Sequence, residues 1–283
     1  MNIRWILQKD VFDDDDFSKL ITSLEKAEIK HEVVGANAYL IMNSTKEECV
    51  VSYGSLNQAS NLIRTKPNWI PGAYYNNAAY RCEQYYPFLG DLIVNGHYRM
   101  LPFGELLRCQ SQIYQEFGVG DELFVRPSTG GKCFSGTLLN FDDYQNYIEI
   151  LKDGGIGPAE LVVVSSPKRI LKEWRFVIVD GKVVTGSQYM DCGKVSVSSG
   201  VDPAAKDVAI KAAKRYSPDK AWTVDVCSTP NDEYKVLEIG CFSCSALYAC
   251  DADIVVESVS EVAYREWEDY MESICPDLEY DRY

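Results

Sequence analysis

The sequence predicts an α+β protein in which a small α/β lobe precedes a larger body, and three observations carry that prediction. A strand, a helix and a further strand follow one another within the first 55 residues. Two alternating strands, Glu173–Val179 and Lys182–Tyr189, turn at Asp180-Gly181, a hairpin dipeptide. Two later strands, Trp222–Cys227 and Val236–Gly240, each set one carboxylate, Asp225 or Glu238, among apolar neighbours, where an unpaired charge is costly.

Taken in order, Ile3–Leu7 reads as the first strand. The acidic run Asp13–Asp16 sits where a helix N-terminus favours negative charge, and Phe17, Leu20, Ile21, Leu24 and Ala27 then recur at helical spacing. Cys49–Ser55 reads as a second strand ending in a turn. From Trp69 to about Asn95 the chain is rich in Tyr, Asn and Pro without a clean period, so a long ordered connection is expected, its aromatics used for packing. The lobe boundary is expected near residue 95, giving a front domain over 1–94 and a main domain over 95–283. Leu123–Pro127 is a short strand stopped by proline; Phe141–Leu151 has helical spacing with Asp142 as its cap. Leu161–Val164 is an apolar strand. Lys206–Tyr216 and Val255–Met271 are helices, the second with Val256, Val259, Ala263, Trp267 and Tyr270 along a core-facing stripe.

With 283 residues the chain is long enough for a real core. Its net charge of -14 repels polyanions, so nucleic acid and acidic membranes are poor partners, although a local cluster of Arg and Lys still suits a small anion. No apolar stretch approaches the roughly 18 residues of a membrane helix. The opening Met1–Gln8 leads into an acidic run rather than an apolar signal core, so the ten cysteines are expected as reduced thiols in a cytosol. Cys241, Cys244 and Cys250 invite a zinc reading, but no fourth ligand has clear spacing, and buried thiols fit better. Only His31 and His97 are present, and neither lies in a motif, which disfavours histidine-based catalysis.

Three features bear on chemistry. After Leu123–Pro127 comes Ser128-Thr129-Gly130-Gly131-Lys132-Cys133-Phe134-Ser135-Gly136, whose glycines, beside Arg126 and Lys132, can turn backbone N–H groups and two cations toward a phosphate chain. As a plain glycine and serine turn it needs no ligand. It is not a P-loop, since Arg126 stands where that motif has its first glycine, and Gly154-Gly155-Ile156-Gly157 lacks the third glycine and preceding strand of a dinucleotide fingerprint. Asp225 and Glu238 lie on consecutive strands and can reach one face if these pair antiparallel; such oxygens suit magnesium, or else they are edge-strand acids in solvent or salt bridges. Arg175, between Trp174 and Phe176, either pairs with an acid such as Glu173 or meets a ligand anion.

In order and spacing, these residues resemble the ATP-grasp superfamily: Phe124-Val125-Arg126-Pro127, the glycine loop with Lys132, the apolar strand ending Val163-Val164-Ser165-Ser166, Glu173-x-Arg175, Val224-Asp225-Val226 and Leu237-Glu238-Ile239. The resemblance is closest to a divergent clade often met in bacteriophages, in which arginine replaces the usual strand lysine, and it spans about residues 95–260. It implies two α+β subdomains gripping ATP, with Arg126 and Lys132 on the phosphates. The strand through Val163 and Val164 to Ser166 would read adenine through its backbone, and Glu173 would approach the ribose. Arg175 would touch phosphate or the acyl group, acting with Lys132 as a catalytic residue, while Asp225 and Glu238 would hold Mg2+.

The implied activity is carboxylate ligation to an amine or other nucleophile through an acylphosphate, releasing ADP. The acid would be a small molecule or a peptide terminus. A kinase, and a nucleotide-binding regulatory module without turnover, are the alternatives. The family usually places asparagine two residues after the metal-binding glutamate; here Gly240 stands there. Ser243, a nearby backbone carbonyl or water is a candidate substitute, the alternative being the loss of one metal site, and Lys194, in the polar loop after the hairpin, is a candidate substrate contact, against the plainer reading of a solvated lysine. The expected location is the cytoplasm, that of the host if the protein is viral. The composition of the front-lobe loops and of Tyr189–Val201 identifies neither the acid, the nucleophile nor an oligomeric state.

Overall fold

The computed structural model describes residues 1–35, 48–65, 68–131 and 133–274. The front lobe runs β1 (Ile3–Gln8), α1 (Asp14–Lys26), β2 (Lys30–Val34), β3 (Glu48–Tyr53), α2 (Leu56–Thr65) and β4 (Trp69–Gly72). Its four strands are parallel in the order β2-β1-β3-β4. β1 and β3 are buried on both faces, which is why they read as near-continuous apolar runs. Asp13 caps α1, its side chain accepting from the Asp15 N–H at 3.0 Å, so the acidic run does open a helix. β2 is an edge strand with largely exposed side chains and leaves little trace in the sequence.

Between Trp69 and Asn95 the chain is more structured than a connection. It contains β4 and then α3 (Cys82–Leu89), whose Tyr85, Tyr86 and Leu89 are fully buried. Pro87 inside this short helix and its run of tyrosines obscure the helical period. α3 also anchors the glycine loop: the Cys82 N–H donates to the Ser128 carbonyl at 2.9 Å, and the Ser128 hydroxyl donates to Glu83.

A second sheet comprises β5 (Tyr98–Pro102), β6 (Glu122–Pro127), β7 (Thr137–Asn140) and β8 (Leu161–Ser165) in the antiparallel order β5-β8-β6-β7. Its core is closed by α4 (Leu106–Phe117) and α5 (Tyr144–Asp153). α5 begins three residues later than Phe141, and Asp142 is not its cap: the N-cap position is Asp143, without a side-chain cap bond, while the Asp142 N–H donates to Asn140.

The central sheet holds β9 (Lys172–Val179), β10 (Lys182–Asp191), β11 (Lys194–Ser198), β12 (Ala221–Ser228) and β13 (Tyr234–Cys241), all antiparallel in the order β11-β10-β9-β12-β13. Alternation along β9 divides its side chains. Trp174, Phe176 and Ile178 join the core with α6 (Pro203–Arg215), whereas Val177 and Val179 pack with α7 (Ala252–Ile274). The same α7 core contains Ile3, Trp5 and Leu7 of β1, and the Trp5 indole donates to Ser260 at 3.0 Å, so the front lobe and central sheet share one interior. Among the described residues no helix is long and apolar enough to cross a membrane.

Candidate functional site

Toward the N-terminal end of β9, Glu173 and Arg175 face a cleft of about 400 Å³ between the central and second sheets, bordered by residues of α2 and of the segment before α3. The second sheet contributes Phe124 and Arg126 and, from the glycine loop, Thr129, Gly130 and Phe134–Gly136. The central sheet adds Tyr189 and Leu237–Cys241, and the front region adds Leu56, Tyr75 and Tyr80.

Arg175 is directly opposite Asp225 in the β9–β12 register. Its Nε donates to Oδ1 at 2.8 Å and its Nη2 to Oδ2 at 2.7 Å, while Nη1 donates to the Ala246 carbonyl at 3.0 Å. Arg175 is 9% and Asp225 3% exposed. The partner of Arg175 is therefore Asp225, not Glu173: strand adjacency brings a residue 50 positions away closer than one two positions away. Tyr189 and Tyr248 stack on each other with centroids 4.9 Å apart, and the Arg175 guanidinium lies 5.7 Å and 5.2 Å from their respective ring centres, a cation–π arrangement. The Tyr189 hydroxyl donates to Glu173 at 2.6 Å. Burial raises the Glu173 carboxyl above its ordinary value; Tyr189 opposes this, and the Asp225 and Glu238 charges add to it.

Glu238 is the register partner of Asp225 across β12–β13, with a strand irregularity immediately after Asp225. It accepts from Arg126 Nη2 at 3.1 Å, a contact that spans the cleft from one sheet to the other. One face thus carries two adjacent carboxylates, each met by an arginine from a different strand.

At Gly240 an added Cβ would lie 2.8 Å from Thr223 Oγ1 and 3.0 Å from Ser245 Oγ. These hydroxyls are 3.0 Å apart, and the Ser245 hydroxyl donates to the Cys241 carbonyl at 2.7 Å. The space beside position 240 is already filled.

A family model for the ATP-grasp domain, the third family of its clade, matches residues 98–259, more than half of the chain. The chain belongs to the ATP-grasp family. Solved structures with the same fold include the D-alanine-D-alanine ligase from Coxiella burnetii, 11% identical with a TM-score of 0.68, covering 97% of this chain and 98% of that one. The D-alanine--D-alanine ligase from Bacillus anthracis complexed with ATP is 14% identical with a TM-score of 0.62, covering 95% and 99%. The ATP-grasp ligase PsnB complexed with a minimal precursor is 13% identical with a TM-score of 0.57, covering 92% and 99%. No curated protein matches the chain in sequence.

Within this ATP-grasp protein, Arg126, Glu173, Arg175 and Glu238 line one cleft, with Asp225 immediately behind Arg175. Lys132 lies outside the described residues. Val163 and Val164 are fully buried in the middle of the second sheet, and Ser166 follows the end of β8; none of the three lines the cleft. Ser243 is 1% exposed and structural in its contacts, its Oγ accepting from the Tyr74 N–H at 2.9 Å and its carbonyl from the Gly54 N–H at 2.8 Å. Lys194 is exposed at the start of β11, away from the cleft lining. Tyr75, Tyr80, Tyr189 and Tyr248 escape a reading of local motifs because their roles arise only when distant segments meet. The tyrosine-rich text around residues 74–86 was the one available signal, and there the aromatics both pack and line the cleft.

Proposed function

We propose that the protein is an ATP-dependent ligase that activates a carboxylic acid as an acylphosphate and passes the acyl group to an amine or another nucleophile. The observation that carries this reading is the Arg126–Glu238 contact across the cleft, beside the locked Arg175–Asp225 pair. Cations and carboxylates from two sheets converge where a triphosphate needs both.

In the first step an oxygen of the acid's carboxylate attacks the γ-phosphorus, the bond to the β-phosphate oxygen breaks, and ADP leaves. In the second, the nucleophile adds to the acyl carbon, inorganic phosphate departs, and the nucleophile's proton passes to solvent or to phosphate. Neither step requires a protein nucleophile; charge stabilisation and in-line positioning are the main needs. Arg126, with Lys132, would hold the phosphates. Arg175 has three of its five N–H groups engaged by Asp225 and Ala246, which fixes its plane and leaves donors for oxygens that gain charge in the transition state. Glu173 would meet the ribose, and the adenine would lie beyond the cleft lining, against the backbone from Val163 to Ser166.

The carboxylate face fits a magnesium ion held chiefly by Glu238. That residue lines the cleft, and magnesium needs only one or two carboxylates together with phosphate oxygens and water. Asp225 would contribute only lone pairs not used by Arg175. Among the described residues no group of three or more His, Cys, Asp or Glu is placed to hold a metal, and Gly240 leaves no room for a third side-chain ligand. Bound there, magnesium would neutralise charge on the phosphates.

The decisive assay supplies ATP, magnesium, an acid panel and hydroxylamine. Acid-dependent ADP release with hydroxamate formation is expected; a stable phosphorylated product would instead identify a kinase. The filled space at Gly240 and the arginines on both carboxylates favour one second reading, a nucleotide binder without turnover. ATP binding with no ADP release from any acid would establish it.

A further inference from the structure

We infer that Tyr53 and Tyr248 are positioning residues for Arg175, acting through the turn that joins β13 to α7. What Arg175 does in catalysis rests on the ligase reading; the new element is which residues hold it in place.

Arg175 is gripped from two sides of different origin. Asp225 lies on the neighbouring strand of the same sheet, so its two bonds follow from the β9–β12 register. The third bond, to the Ala246 carbonyl, and the Tyr248 ring both come from the turn. Residues 245–251 lie in no strand or helix, so other contacts must set their path.

The front lobe supplies several of these. From the end of β3 the buried Tyr53 hydroxyl donates to the Ser245 carbonyl at 2.7 Å, one residue before Ala246, and the Gly54 N–H donates to the Ser243 carbonyl at 2.8 Å. The rings of Trp5, Tyr53 and Tyr74 meet Phe242 at centroid distances of 6.1, 5.6 and 6.4 Å. Burial raises the Asp16 carboxyl above its ordinary value, opposed by Lys19 and by the Tyr248 backbone N–H, so this member of the acidic run faces the turn. From β10, the Ser187 hydroxyl accepts from the Ala249 N–H at 3.1 Å.

Tyr248 itself has a φ of 53°, a left-handed conformation that so large a side chain seldom adopts and that persists where its surroundings impose it. With it comes a ring stacked on Tyr189 and 5.2 Å from the Arg175 guanidinium. Loss of that ring opens one side of the guanidinium to water. Loss of the Tyr53 hydroxyl removes the anchor next to Ala246. Either change lets the uncommitted Arg175 donors drift from the oxygens they serve, and a misplacement of about 1 Å is enough to cost on the order of a hundredfold in rate.

The test compares Tyr248→Leu, Tyr248→Phe and Tyr53→Phe with the wild-type full chain. One readout is acid-dependent ADP release, resolved into kcat and KM for ATP. The other is solvent exchange of the Arg175 Nε–H by heteronuclear NMR, taken relative to the backbone N–H of Val177 on the same strand so that general destabilisation cancels. Tyr248→Leu is expected to lower kcat and to speed the relative exchange at least tenfold, with KM within threefold, because Arg175 acts on charge formed in the transition state. Tyr248→Phe keeps the ring and is expected to stay within threefold of wild type in both readouts. Tyr53→Phe, which removes one oxygen from a retained ring, is expected to change both at least threefold. Unchanged exchange in Tyr248→Leu or Tyr53→Phe, or unchanged kcat where the wild type turns over, overturns the inference. So does a loss in Tyr248→Phe equal to that in Tyr248→Leu, or a rise in KM alone, which would make Tyr248 a substrate contact. If Tyr248→Leu does not fold, Tyr53→Phe decides by the same measures. Faster exchange in the variants of a protein that releases no ADP upholds the positioning and rejects the ligase.

Discussion

Arg175–Asp225 and Arg126–Glu238 are the same kind of pair set one register step apart, yet their surroundings give them different work. The first is bidentate and buried, with side chains 11% and 3% exposed. The second is a single contact at 3.1 Å across the cleft, with side chains 15% and 27% exposed. A buried pair cannot exchange its partner for water, whereas a cleft pair can exchange it for a ligand. Asp225 therefore serves first to orient Arg175, and Glu238 is the carboxylate that lines the cleft. Asp225→Asn is expected to lower stability by about 3–5 kcal/mol, since it strands a buried guanidinium, measured by urea denaturation. Glu238→Gln should cost about 1 kcal/mol or less while reducing ATP turnover on the order of a hundredfold. Equal stability losses in the two variants would erase the contrast.

A third carboxylate, half-buried, sharpens the comparison because its hydrogen-bond partners among the described residues are uncharged. Asp219 accepts from the Asn76 N–H at 3.0 Å and the Tyr80 hydroxyl at 2.8 Å, and burial pushes its carboxyl up to about 6 from 3.8, those two hydrogen bonds opposing. A raised acid binds its proton more tightly folded than unfolded, so its effect on stability becomes unfavourable as pH rises from about 4 to about 6. The penalty is complete at neutral pH. Asp219→Asn keeps an acceptor for both donors and removes the ionisation, so it is expected to stabilise the protein by about 2 kcal/mol at neutral pH and by almost nothing at about pH 4. Thermal melts at the two pH values check this. A uniform effect across pH would mean that packing, not charge, dominates at Asp219.

What was legible in the sequence follows the range of the forces involved. α1, α7 and the β9–β10 hairpin are encoded by local period, an acidic first turn and an Asp-Gly turn, and they stand close to where those signals put them. α4 buries only Leu106, Ile113 and Phe117, too thin a stripe to stand out, and α3 is hidden by Pro87. At the site, the facing of Asp225 and Glu238 was legible because two neighbouring antiparallel strands fix it. The partner of Arg175 was not, because β9 and β12 are joined only after β10, β11 and α6 have intervened. The rest of the cleft lining draws on α2, the segment before α3 and the turn after β13, and no local pattern links them.

The smallest expected effect lies at the edge of the same carboxylate face. Thr223 and Ser245 fill the space beside Gly240, so a methyl group there must displace a hydroxyl that is also hydrogen-bonded to the backbone. Ser245 yields more readily, having one heavy atom on its Cβ where Thr223 has two, but it then gives up its bond to the Cys241 carbonyl. Gly240→Ala is therefore expected to destabilise by about 1 kcal/mol, the net worth of one such bond. In a Ser245→Ala background, where that bond is already lost, the added methyl should cost less, giving a coupling of about 0.5–1 kcal/mol in a double-mutant cycle. Strict additivity would show that the Ser245 hydroxyl does not guard position 240, and would reopen that position to a side-chain ligand beside Glu238.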